Sequence, residues 1–220
     1  GEALDLALAC QRAEQLAAGV PCGIMDQLTS VAGLAGHALL IDCRSLAVTP
    51  VPLPAGAAVV VVDSGQRRSL STSAYATRRG QCEEAEARIG PLRDARPADV
   101  GSLGGELRRR ARHVVTENER VRAAADALRA GDLAAAGALM TDSHRSLRDD
   151  FEVSTPVLDG MVERLVATPG VYGARLTGAG FGGCVVVLAE SGAADRVVGQ
   201  GAAAWRVQAA AGASLSVRRR

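Results

Sequence analysis

The chain contains no lysine: all 25 of its basic residues are arginine. A phosphate loop of the GxxxxGK[ST] type, which needs a lysine on the β- and γ-phosphates, is therefore excluded. Aromatic residues make up 2% of the 220 positions, too few to stack successive bases. No CxxC pair occurs among Cys10, Cys22, Cys43, Cys82 and Cys184, and His37, His113 and His144 are scattered. That spacing speaks against a disulfide framework or a zinc site and for free thiols in a reducing cytoplasm. Long apolar runs are missing too. The longest, Ala57–Val62 and Val185–Ala189, have strand length and fall far short of a membrane span. No single charge sign dominates: 25 arginines face 24 acids, so a net charge of +1 gives no electrostatic case for nucleic acid or an anionic membrane. The first residues carry neither a basic n-region nor a signal-peptide layout.

What is present is a hydrophobic share of 48% with 22% charged residues, ordinary for a globular protein. The length suffices for one large domain or two small ones. Apolar residues at helical spacing predict a helix over Glu2–Ala18, uncapped at its start, as in a chain that begins mid-fold. A second helix is expected from about Cys22 to Leu34, then a strand at His37–Asp42. The stretch Leu46–Gly56, with Pro50, Pro52 and Pro54, reads as an edge strand or connector and as the domain boundary. Ala57–Asp63 is β-branched and apolar and reads as a buried strand. Helices are expected at Ser69–Arg88, Glu106–Ala130, Leu133–Leu147 and Pro156–Ala167, with a loop from Arg96 to Gly105. Asp132 and Thr155 are suited to cap the helices they precede. Strands at Val171–Leu176 and Cys184–Ala189 follow, then a helix over Ala193–Gln208 and a strand near Ala213–Val217. The order of elements predicts an α+β fold.

Two segments carry the most chemistry. Gly178-Ala-Gly180-Phe-Gly182-Gly183 fits GxGxxG, but a strand follows where a dinucleotide loop must open a helix, and no acid lies about twenty positions on. It is a glycine hairpin, or a loop whose missing side chains let backbone N–H groups approach substrate and phosphate. In Gly19-Val-Pro-Cys-Gly-Ile-Met-Asp26-Gln27, one carboxylate sits in an otherwise uncharged turn. It caps a helix, sits in solvent, or accepts a hydroxyl proton during phosphoryl transfer. Arg67-Arg68 and Arg78-Arg79 form two basic pairs flanking Tyr75, and such pairs are usually solvated helix faces; Arg67 and Arg68 follow the buried strand and can offer planar forks to phosphate. Ser143 and His144 beside Asp142, Asp149 and Asp150 do not make a hydrolase triad, because adjacent residues on one helix do not face each other.

These blocks resemble galactokinases of the GHMP family of small-molecule kinases. The resemblance runs through Gly19–Gln27, His37-Ala-Leu-Leu-Ile-Asp-Cys-Arg-Ser45, Tyr75 with Arg78-Arg79-Gly-Gln-Cys-Glu83, and His113–Val121. It continues in Ser143-His-Arg-Ser-Leu-Arg-Asp-Asp-Phe-Glu-Val-Ser154 and Gly170–Cys184. It implies a two-domain GHMP-kinase-like α+β fold: residues 1–56 as the end of the N-terminal domain and residues 57–220 as a complete ferredoxin-like C-terminal domain. The implied reaction is transfer of the ATP γ-phosphate to the 1-hydroxyl of galactose, with Mg2+ as cofactor. Asp26 would be the catalytic residue, acting as base or orienting the 1-hydroxyl. Gly23 and Tyr75 would touch the sugar, and Arg67 with Gly178, Gly180, Gly182 and Gly183 would lie near the phosphates. No metal ligand is expected within the chain, and the Ser143–Ser154 block has no assigned chemical role. Ala179 stands where the family has glycine, which is tolerable if φ is negative there. The family's first two motifs are not found, so the expectation is a C-terminal portion, inactive alone. The complete protein would be cytoplasmic and monomeric, with galactose and ATP as partners. Another GHMP kinase, or a non-catalytic sugar-binding relative, is the alternative.

Overall fold

The computed structural model describes residues 2–19, 22–67, 71–200 and 203–214. The chain divides into two compact units, Gly1–Leu53 with Gln208–Arg220, and Pro54–Val207.

In the first unit, helix α1 (Glu2–Ala18) packs on α2 (Met25–Ala32) through Ala7, Ile24 and Leu28, with Leu4, Leu8 and Val31 around them. An antiparallel pair follows, β1 (His37–Ile41) and β2 (Val48–Pro52), in register from His37 opposite Pro52 to Ile41 opposite Val48. Among the described residues β2 pairs only with β1, which leaves Pro50 and Pro52 on an edge where proline is tolerated. Asp42 makes the turn: its Oδ1 accepts from the amides of Arg44 and Ser45 at 2.8 and 2.9 Å. The C-terminal segment returns to this unit, with Gly36 N–H donating to Ala209 O and Gly212 N–H to Gly33 O. A methyl on Gly212 would lie 2.4 Å from Val31 O, so only glycine admits that approach.

The second unit begins with β3 (Ala57–Asp63), whose alternate residues Ala58, Val60 and Val62 are buried. Helices α3 (Ser71–Ile89), α4 (Pro97–Gly101), α5 (Gly105–Ala130), α6 (Leu133–Asp149) and α7 (Pro156–Val166) follow. Strands β4 (Val171–Leu176) and β5 (Cys184–Glu190), a 3-10 turn, helix α8 (Ala194–Val198) and β6 (Ala203–Val207) complete it. The four strands form one antiparallel sheet in the order β4-β5-β3-β6. With helices after β3 and after β5, this is the ferredoxin-like arrangement. Leu158, Met161, Val162 and Leu165 of α7 and Ala194 and Val197 of α8 cover one face of the sheet. Full burial of each large side chain contributes roughly 1.5–3 kcal/mol. A second cluster, Ala85, Leu92, Val100, Leu103, Ala111 and Val115, joins α3, α4 and α5.

Asp132 caps α6 by accepting from Ala135 N–H at 2.9 Å, and Thr155 caps α7 by accepting from Leu158 N–H at 3.3 Å. Helix α6 meets β4 backbone to backbone: a methyl on Gly137 would lie 2.3 Å from the Tyr172 carbonyl carbon. Three expectations need correction. The stretch after Arg96 is not all loop, because Pro97 starts α4, with Asp99 accepting from Arg96 N–H at 2.8 Å. The helix over 193–208 ends at Val198, and residues 203–207 form the last strand. Pairing with β3 overrides the helix propensity of an alanine run. Nor is there a strand at Ala213; residues 215–217 of that expectation lie outside the described residues, as do residues 69 and 70 of the helix expected from Ser69.

Candidate active site

The loop joining β4 to β5 and the chain leaving β3 come together at the end of the sheet. Gly178, Gly180, Gly182 and Gly183 have φ of 77°, 82°, 125° and 86°, a run that side chains resist. Ala179 keeps a negative φ, so its extra methyl is accommodated, while Phe181 is held at 59°. A methyl on Gly180 would lie 2.2 Å from Val153 O, and one on Gly182 would lie 2.7 Å from Gln66 O. The glycines thus serve close backbone packing as much as unusual dihedrals.

The loop's amides are partly committed to the protein. Phe181 N–H donates to Val153 O at 2.8 Å and Gly183 N–H to Gln66 O at 2.9 Å. Those two amides are not available to a phosphate, which narrows the expected role of the loop. Among the described residues, the amides of Gly178, Ala179, Gly180 and Gly182 donate no hydrogen bond. Beyond β3, Asp63 Oδ1 accepts from Gly65 N–H at 3.0 Å, turning the chain so that Gln66 and Arg67 stand beside Gly183. Asp63, Gly65, Gln66, Arg67 and Gly183 line a cavity of ≈ 580 Å³. Arg67 is exposed there and forms no ion pair among the described residues. Arg68 lies outside the described residues.

A turn that the sequence left without a role, Asp150–Thr155, supports both strands of this cavity wall. Val153 O holds the glycine loop, and Thr155 Oγ1 donates to Gln66 Oε1 at 2.7 Å. The turn is itself gripped by arginines. Arg110 of α5 is fully buried and donates to Asp150 O at 2.6 Å, Glu152 Oε2 at 2.6 Å and Gln81 Oε1 at 2.8 Å. Arg78 of α3 donates to Phe151 O at 2.7 Å and Glu152 O at 3.1 Å. It is therefore not part of a solvated face, whereas Arg79 pairs with Glu83 in solvent as expected. Glu152 has a φ of 55°, a strain of roughly 1–2 kcal/mol for a residue with a side chain. Hydrogen bonding to Arg110 holds its carboxyl below the usual carboxylate range. Burial, then the neighbouring Arg110, push the Arg78 guanidinium down, and Glu152 opposes them.

His113 stacks on Phe151 of the same turn, centroids 4.6 Å apart, and meets Ser146 Oγ at 3.0 Å. Burial pushes its imidazole down to about 4. His144 is also buried and lowered by burial; its Nδ1 accepts from Leu176 N–H at 3.3 Å, so Nε2 donates to Asp159 Oδ1 at 3.1 Å. Ser143 donates to Glu117 rather than to a histidine, so no triad forms, and His144 instead ties α6 to α7 and β4.

The remaining expected residues are placed as follows. Tyr75 is half-buried in the second turn of α3. Gly23 is exposed in the other unit, and Asp26 is exposed in the first turn of α2. Ile24 is the N-cap, so Asp26 does not cap the helix, and its carboxylate accepts no hydrogen bond from a described residue. The structure thus brings Arg67, Gly182 and Gly183 together within one unit. Gln66, Asp63 and the turn Asp150–Thr155 were missed as site-building residues. The available signal was a turn sequence, Asp63-Ser-Gly, directly after a buried strand. No helix among the described residues is long and apolar enough to cross a membrane, and none of their His, Cys, Asp or Glu groups is arranged to hold a metal ion.

Residues 124–207 match the family described as GHMP kinases C terminal. The fold, the glycine hairpin and this match agree, and the chain belongs to the GHMP kinase family. Within it the similarity is to galactokinases. The chain is 53% identical to galactokinase from Bos taurus over 196 residues, 86% of this chain and 50% of that protein. It is 51% identical to galactokinase from Chloroflexus aggregans over 205 residues, 88% of this chain and 53% of that protein. The crystal structure of Lactococcus lactis galactokinase complexed with galactose matches with a TM-score of 0.86 and 32% identity, over 96% of this chain and 60% of that one. The chain spans about half the length of the curated relatives it matches.

Proposed function

We propose that the chain serves a galactokinase-type phosphotransferase, which moves the γ-phosphate of ATP to the 1-hydroxyl of galactose and yields galactose 1-phosphate. The observation that carries this reading is the likeness to a galactokinase complexed with galactose, over 96% of the chain at a TM-score of 0.86. Residues 1–56 are proposed as the end of the family's N-terminal domain and residues 57–220 as its C-terminal domain, whose last segment, from Gln208, returns to the first unit.

Asp26 is the group proposed to take or orient the proton of the attacking hydroxyl. Its exposed carboxylate, free of hydrogen bonds from described residues, suits an acceptor that engages only when sugar is bound. Gly23 and Tyr75 are proposed to contact the sugar. Phosphoryl transfer spreads negative charge over the equatorial oxygens, so fixed positive groups lower the barrier. Arg67, exposed at the ≈ 580 Å³ cavity beside Gly183, supplies such a group. Gly178 is exposed and is proposed to let substrate approach the backbone, while Gly180 and Gly182 are buried against Val153 and Gln66 and would act by setting the path of the loop near the phosphates. The residues described here do not by themselves form a Mg2+ site, so no step is assigned to the metal; ATP bound to Mg2+ would be the donor. Five free cysteines support a cytoplasmic setting, and we take the complete protein to be a monomer.

The test uses a polypeptide of the relatives' full length that contains these 220 residues. ATP consumption with galactose, and a product phosphorylated at the anomeric carbon by 31P NMR, are expected. Asp26→Asn should lower kcat by roughly 10²-fold or more with little change in the galactose KM. An unchanged rate would remove Asp26 from the mechanism, and absence of any galactose phosphorylation by the unmodified protein would overturn the reading.

A further inference from the structure

We infer that Arg78 and Arg110 are positioning residues for the glycine loop, acting through the strained turn at Glu152; this rests on the galactokinase-type reading only where activity is measured. Arg110 is fully buried, and such a charge is kept only where partners are in place. All of its partners fix one small region: it donates to Asp150 O, to Glu152 Oε2 and to Gln81, whose Oε1 also meets Arg78 Nη1 at 3.4 Å. Arg78 holds the next two carbonyls, Phe151 O and Glu152 O. Consecutive carbonyls of one turn are thus gripped by guanidinium groups from two different helices. The next residue, Val153, gives its carbonyl to Phe181 N–H and its surface to Gly180. Two residues further, Thr155 orients Gln66, which in turn accepts from Gly183 N–H. The turn therefore contacts both walls of the Arg67 cavity, and the arginines hold its carbonyls.

The brace has a role that core packing does not. Hydrophobic burial already fixes β4, β5 and α7, but it does not determine the path of a glycine run with four positive φ values. The two loop amides used against Val153 O and Gln66 O orient the loop, and those acceptors stay in place only while the turn does. Arg78→Met removes two of the grips at a side chain that is partly exposed, and Arg78→Lys keeps the charge but not the fork. Glu152→Gln loosens Arg110 without opening a cavity.

The experiment follows amide hydrogen exchange at Phe181 and Gly183 by NMR, together with steady-state kinetics, in the full-length polypeptide. In Arg78→Met, exchange at both amides should rise about tenfold or more, while amides within 171–176 and 185–190 stay as in the unmodified protein. The KM for ATP should rise and kcat fall, with the galactose KM held within about twofold. Arg78→Lys should recover part of both effects, and Glu152→Gln should reproduce them weakly. Unchanged exchange at Phe181 and Gly183 in folded variants overturns the proposal. So does a rise shared equally by the two strands, which would make the arginines merely stabilising. If the unmodified protein does not phosphorylate galactose, the functional reading fails, while the exchange result still decides the brace.

Discussion

Two glycines with the same backbone angle separate the cost of conformation from the cost of contact. Gly90, after α3, and Gly180, in the hairpin loop, both have a φ of 82°. A methyl on Gly90 meets nothing within 4 Å, whereas one on Gly180 would lie 2.2 Å from Val153 O and 2.7 Å from Val153 Cβ. Gly90→Ala should therefore cost only the left-handed conformation, about 1 kcal/mol. Gly180→Ala adds displacement of the loop and loss of the Phe181–Val153 hydrogen bond, for a total of about 3 kcal/mol or more. Urea unfolding, followed through Trp205 on β6 of the same unit, measures both. Trp205 is the only tryptophan, so the signal reports this unit. Equal destabilisation by the two substitutions would refute the close approach of the loop to the Asp150–Thr155 turn.

Other outcomes are also specified. His113 stays neutral in the folded state down to about 4, against an ordinary value of 6.5. The unfolded chain therefore binds the proton first, so stability is full above pH 6.5 and declines as pH falls toward 4, by about 3 kcal/mol in all. His113→Gln should flatten that slope in a pH series of urea midpoints, and an unchanged slope would place the titration elsewhere. His144, also pushed down by burial, adds in the same direction. Gly137→Ala should destabilise by about 3 kcal/mol despite better helix propensity, because the methyl collides with β4; thermal unfolding at unchanged or higher Tm would contradict that contact. Asp132→Ala should cost about 1 kcal/mol by removing the cap on Ala135 N–H, measured as the shift in urea midpoint.

Much of the fold was legible because its causes are local. The caps at Asp132 and Thr155 and the β-branched run in Ala57–Asp63 act within a few residues, and each element forms where they put it. Where local and long-range causes disagree, the sequence misled. Residues 203–207 lie in an alanine-rich stretch that suits a helix, yet they pair with β3, some 140 positions earlier by the register of Val61 with Trp205. The glycine loop was visible as a loop before a strand, but its hydrogen bonds were not, since their acceptors belong to Val153 and Gln66.

The sequence by itself determined the kind of protein: the motif blocks in family order, the lone acid after Gly23, and the glycine run before an apolar strand. Only the tertiary structure decided what the arginines do. Arg78 and Arg79 are neighbours on one helix with the same chemistry. One pairs with Glu83 in solvent, and the other holds carbonyls 73 and 74 residues away. Whether a guanidinium is a solvated charge or a buried brace depends on which acceptors surround it, and those are supplied by distant chain brought close in space.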